Sequence, residues 1–158
     1  MQTRSKIILA VIGLVIAGII VSKLIQPDTT PDAVQIQNAL QTAANAADEK
    51  DAPKLMSIVS DNYSDSDGNN REELSLLLSR AMSNVGNIDV SLGPVNVTVN
   101  GDLAVSTGNI IVSTDGQRQF SQLVTVNWQK EETRRYLVIP DKTWRVIRSS
   151  YTGNMGAD

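Results

Sequence analysis

EKDAPKLMSIVSDNYSDSDGNN, residues 49 to 70, holds most of what decides the fold. Asp51 stands ahead of Pro53 and of the apolar positions Leu55, Met56 and Val59, the pattern of a capped short helix with proline in its first turn. The acidic run that follows could be a metal loop or a turn. A calcium loop of the EF-hand kind needs carboxylates at positions 1, 3 and 5, glycine at 6 and glutamate at 12. With Gly68 at position 6, Tyr63 falls at 1 and Leu74 at 12, so both end ligands are missing. Asn70 followed by Glu73 is instead a helix cap with a capping-box partner, and Glu72 adds negative charge near the positive helix end. The stretch reads as a polar turn that binds no metal.

Outward from it, the N-terminal side carries a helical stripe of Ile36, Leu40, Ala43, Ala44 and Ala47 between Ala33 and Lys50. The C-terminal side carries a third helix from Arg71 to Val85, with Leu74, Leu77, Leu78, Ala81, Met82 and Val85 on one face. After residue 87 the period changes to two. Ile88, Val90 and Leu92 alternate with polar residues, then Gly93-Pro94 intervenes and the apolar set moves to Val95, Val97 and Val99, the mark of a bulge in one long strand. Asn100-Gly101 and Asp115-Gly116 are hairpin turns, with a strand from Leu103 to Thr114 between them. Phe120, Val124, Val126 and Trp128 share a face of the next strand, and Glu131 and Glu132 are expected in a turn. Tyr136–Ile139 and Trp144–Tyr151 are expected to pair through a turn at 140–142. Helices followed by an antiparallel meander make an α+β domain.

The chain has 158 residues, no cysteine and no histidine. Disulfides, thiol nucleophiles and histidine triads are thereby excluded. Net charge is −3, with residues 32 to 102 at −7 and residues 103 to 158 at +2. The bases of the second part are scattered, so no nucleic-acid footprint exists.

Residues 7 to 25, IILAVIGLVIAGIIVSKLI, contain one charge, Lys23. As a helix they span roughly 28 Å at about 1.5 Å per residue, close to the hydrocarbon thickness. A cleaved signal peptide is the alternative; the run is long for one, and no A-x-A-like site follows. Arg4 and Lys6 precede the span, whereas Asp28 and Asp32 follow it. The expectation is a single-pass anchor with its N-terminus in the cytoplasm and the domain periplasmic or extracellular, in a bacterial inner membrane. Residues 26–32 (26–31 reading QPDTTP) form the linker, residues 33–151 the domain and 152–158 a tail.

The alanine-rich first helix, EKDAPKLMSIVSDNYSDSDG, the bent strand and the ending TWRVIRSSY (143–151) together resemble the nuclear transport factor 2-like superfamily, with its SnoaL-like and ketosteroid-isomerase-like members, over roughly residues 33 to 151. The resemblance implies a cone, a strongly curved sheet wrapped against three helices, with a pocket at the wide end. Within such a cone Tyr63, Trp128 and Tyr151 are candidate pocket residues, and so is Arg148, which shares the strand parity of Trp144 and Val146 and could bind an anionic ligand at the mouth. Enzymes of the superfamily use aspartates, tyrosines and histidines inside the cone. Without histidine, an isomerase or cyclase would rest on Asp61, Tyr63 and Tyr151. Fold alone licenses no activity. No catalytic residue and no cofactor is therefore expected. The expected role is an accessory or assembly subunit whose partners are the lipid bilayer and other subunits of a membrane protein complex. A small-molecule ligand is the alternative.

Overall fold

The computed structural model describes residues 30–135 and 139–152, with backbone alone for 134, 135, 139 and 140. The apolar run 7–25, the residues Tyr136–Val138 and the end of the tail lie outside the described residues. No helix among the described residues is long and apolar enough to cross a membrane. The chain divides into two compact units. The larger one, residues 30–133 and 142–158, carries everything below except the strand ends Arg134–Arg135 and Ile139–Asp141, which belong to the smaller.

The elements run α1 (Asp32–Asp48), α2 (Ala52–Met56), α3 (Arg71–Asn84), β1 (Ile88–Asn100), β2 (Leu103–Thr114), β3 (Gln117–Arg135) and β4 (Ile139–Thr152). Local chemistry sets the helix starts. The Asp51 carboxylate accepts from the Lys54 amide at 2.9 Å and starts α2, with Pro53 in its first turn. Asn70 starts α3 with a full capping box. Its side chain accepts from the Glu73 amide at 3.0 Å, and its own amide donates to the Glu73 carboxylate at 2.9 Å. Ahead of it, Asp65 gathers the acidic turn by accepting from the amides of Asp67 and Asn69 and from the Asn69 side chain. Burial alone would raise the Asp65 pKa; hydrogen bonds from Asn69, Asp67 and Gly68 outweigh it and hold the carboxyl below its ordinary value. Among the described residues, no group of three or more acidic side chains could hold a metal ion.

The four strands form one curved antiparallel sheet in the order β1-β2-β3-β4. The register of β1 and β2 shifts between Leu92 and Val95, where the sequence breaks parity. The bulge keeps one face apolar throughout: Leu92 pairs with Ile110 before it, and Val97 with Ser106 after it. Gly108 sits beside the bulge because a Cβ there would meet the Val95 side chain at 3.0 Å and the Pro94 carbonyl at 3.3 Å.

Ile36, Met56, Val59, Tyr63, Ala104, Val126, Trp128, Trp144 and Val146 form the buried core between the helices and this face. Trp128 is fully buried, opposite Ala104 across the β2–β3 ladder. The small side chains of Ala104 and Ser106 leave room for its indole, and the Ser106 hydroxyl accepts its N–H at 2.8 Å. The Trp144 indole donates to Asp32 at 3.1 Å, and Lys130 lies 5.4 Å from its ring while donating to Asp32 at 2.6 Å. This clamp ties the first turn of α1 to β3 and β4.

Four expectations need correction. Glu131 and Glu132 lie within β3, not in a turn: the strand runs on past them, with Lys130 bonded to Asp32 and Glu131 accepting from Ser60 at 2.5 Å. Residues 140–142 lie within β4; Pro140 is its second residue, where a missing N–H is tolerated. The first hairpin turn is Gly101-Asp102, since Asn100 already pairs with Leu103, and Gly101 takes the positive φ of +62°. On α3, Leu77 and Ala81 are exposed; only Leu74, Leu78 and Met82, one row at i, i+4 and i+8, turn inward, and Leu76 and Leu77 stay in solvent.

Candidate functional site

The face of the sheet toward the helices carries one small cavity bounded by described residues of α1 and the strands. Between α1 and the strands, the cavity lined by Leu40, Ser106, Val124 and Val126 has a volume of about 10 Å³, space for about one water molecule. Tyr63 is buried, with its hydroxyl 2.6 Å from the Ser149 hydroxyl. Burial is the main cause that lifts its pKa above the ordinary phenol value, so the group stays neutral and engaged with Ser149.

The opposite face is different. Leu103, Val105 and Leu123 project from β2 and β3 away from the core and are exposed. A groove of about 520 Å³ runs over this face, lined by Leu103, Val105, Asn127, Ile147 and Arg148, with Asn62 and Ser64 along its rim. Asn62 and Ser64 reach β4 because the segment after α2 follows that strand. The Ser60 amide donates to the Val146 carbonyl at 2.9 Å, and the Ser64 amide to the Ile147 carbonyl at 3.1 Å.

Of the four candidate pocket residues, Trp128 and Arg148 line this groove, and Tyr63 and Tyr151 do not. Tyr63 is in the core, and Trp128 lies beneath the groove, fully buried. Arg148 lines the groove and is exposed, although it shares parity with Trp144 and Val146. Tyr151 is exposed and donates to Asp67 at 3.1 Å, holding the end of β4 to the acidic turn. That hydrogen bond is the main cause that raises its pKa. Asp61, the carboxylate that an isomerase would need in an apolar pocket, is 94% exposed and paired with Arg71 at 3.4 Å. Sequence reading missed Leu103 and Val105. The signal was present, since β2 carries apolar residues at odd positions as well as even ones, which a strand with one solvated face does not need.

No protein-family model and no curated protein matches the chain. Solved structures do. An NTF2-like protein of unknown function from Pseudomonas putida superposes with a TM-score of 0.62 at 15% identity, over 84% of this chain and 93% of that one. A protein of unknown function with a cystatin-like fold from Nostoc punctiforme gives 0.62 at 15% identity, over 80% and 93%. Bd1075 of Bdellovibrio bacteriovorus gives 0.63 at 12% identity, over 78% of this chain, which spans only 40% of that protein. With three helices on one face of a bulged four-stranded meander, and these neighbours beside it, the chain has the nuclear transport factor 2-like fold.

Proposed function

We propose that the chain is a membrane-anchored, extracytoplasmic domain without enzymatic activity, acting as an accessory or assembly subunit of a membrane protein complex. The observation that carries this reading is the exposed apolar pair Leu103 and Val105 on the groove of the sheet face turned away from the described helices, with Leu123 exposed further along the same face. Apolar side chains on a strand face that no helix among the described residues covers are the material of a protein contact. The anchor of this reading is the apolar run 7–25, and the flanking charges favour the domain outside under the positive-inside rule.

The test is extraction of the full chain from its native membrane in mild detergent. The reading expects a particle well above the 17.1 kDa of the chain. Replacing Leu103 and Val105 together by aspartate should release the chain as a folded monomer. A wild-type monomer in that detergent contradicts the reading. Protease added outside right-side-out vesicles should digest the domain; full protection would reverse the topology.

A small-ligand reading has one observation behind it. The groove falls in the volume range of ligand sites, and Arg148, with no hydrogen bond or ion pair among the described residues, stands on its lining. A screen of small organic acids by thermal shift checks it: stabilisation that disappears in Arg148→Ala would favour it.

A further inference from the structure

A second, smaller cavity of about 200 Å³ opens where residues 59–61 pass the adjoining strands β3 and β4. Its lining is ionic: Asp61, Arg71, Glu131, Glu132 and Arg145, with Thr133 beside them. Two of these side chains are fixed by neighbours. Arg71 donates to the carbonyls of Val59 and Met56, each at 3.3 Å, and pairs with Asp61. Glu131 accepts at 2.5 Å from Ser60, whose side chain is almost completely buried. Two are not fixed. Neither Glu132 nor Arg145 has a hydrogen bond or an ion pair among the described residues, and they do not pair with each other. One cavity thus presents an unengaged carboxylate on β3 and an unengaged guanidinium on β4, with buried Ser60 holding Glu131 next to them.

We propose that this cleft binds a small zwitterion, a molecule with an ammonium and a carboxylate a few atoms apart, as in a free α-amino acid. Arg145 takes the carboxylate, since a guanidinium offers a planar fork of donors that matches it. Glu132 takes the ammonium. A simple anion is disfavoured because three carboxylates outnumber two guanidiniums. A lone cation would leave Arg145 uncompensated in the cleft. An apolar ligand has nothing to contact except Val59. The volume lies below the range of drug-sized sites, which keeps the ligand small. This site is separate from the contact proposed for the outer sheet face, and either can fail alone.

The test is calorimetric titration of the full chain in detergent with glycine, and with acetate and ethylammonium as single-charge probes at matched ionic strength. Glycine should bind saturably, in the millimolar range or tighter. Each single-charge probe should bind at least about tenfold more weakly. Glu132→Gln and Arg145→Gln should each weaken glycine by about tenfold or more, with melting temperatures near that of the wild type. If a variant unfolds, Arg145→Lys serves in its place; it keeps the charge and loses the fork, and should still weaken glycine. Absence of saturable glycine binding overturns the proposal. So does acetate or ethylammonium binding as tightly as glycine, which would make the cleft a simple anion or cation site.

Discussion

The two faces of β2 and β3 are built from the same strands and differ in almost every physical respect. Toward the helices, the ladder sets Ala104 against Trp128 and Ser106 against Val126, small against large, and the cavity beside them has a volume of about 10 Å³. Away from the helices, Val105 faces Asn127 and Leu103 faces Gln129, apolar against polar, under an open groove. A sheet that needed only a core would carry polar residues at positions 103, 105 and 123. The difference separates what the fold requires from what a partner would require.

Substitutions can break this comparison. The largest effect is expected inside. Trp128→Ala removes a fully buried indole and leaves the Ser106 hydroxyl without its donor, and should cost about 3–5 kcal/mol in denaturant unfolding. Next comes the cap of α3: Asn70→Ala removes one half of the capping box and should cost about 1 kcal/mol. The smallest effect is expected outside. Leu103→Ser should stay within about 0.5 kcal/mol of wild type, as surface changes do. A loss of several kcal/mol at Leu103 would mean that this face is part of the fold after all.

Acid sharpens the same contrast. Lys130 donates to Asp32 and is the main cause that holds its carboxyl below the ordinary value, with the Trp144 indole adding to it. A depressed folded-state pKa contributes stability that is full above the unfolded-state value, about 3.9, and is lost as pH falls through the folded-state value. Asp65 behaves in the same direction. Asp32→Asn should therefore flatten the fall in melting temperature below about pH 4, relative to wild type. An unchanged acid limb would show that the clamp contributes nothing to stability.

Much of the fold was legible because its signals are local. Asp51 and Asn70 each place a side-chain acceptor where a helix amide needs one, and Gly93-Pro94 announces the bulge by a change of parity. Asp115-Gly116 forms its turn with both residues at positive φ, as a two-residue hairpin of that kind requires. What failed depended on distant partners. Glu131 reads as a turn residue until Ser60, far away in sequence, is found hydrogen-bonded to it. The hydrogen bond between the Tyr63 and Ser149 hydroxyls, across more than eighty residues of chain, could not be read from sequence either. Arg148 follows the parity of Trp144 and Val146, yet it lies beyond the end of the core, and parity alone does not say where a core stops.

Assembly through the outer sheet face requires Leu103 and Val105 to be covered by a partner subunit. The most direct measurement is the mass of the full chain, extracted in mild detergent, for wild type beside the chain with both Leu103→Asp and Val105→Asp. The account predicts a larger assembly for wild type and a monomer with unchanged melting temperature for the double variant. Equal masses for the two, with both proteins folded, would contradict it.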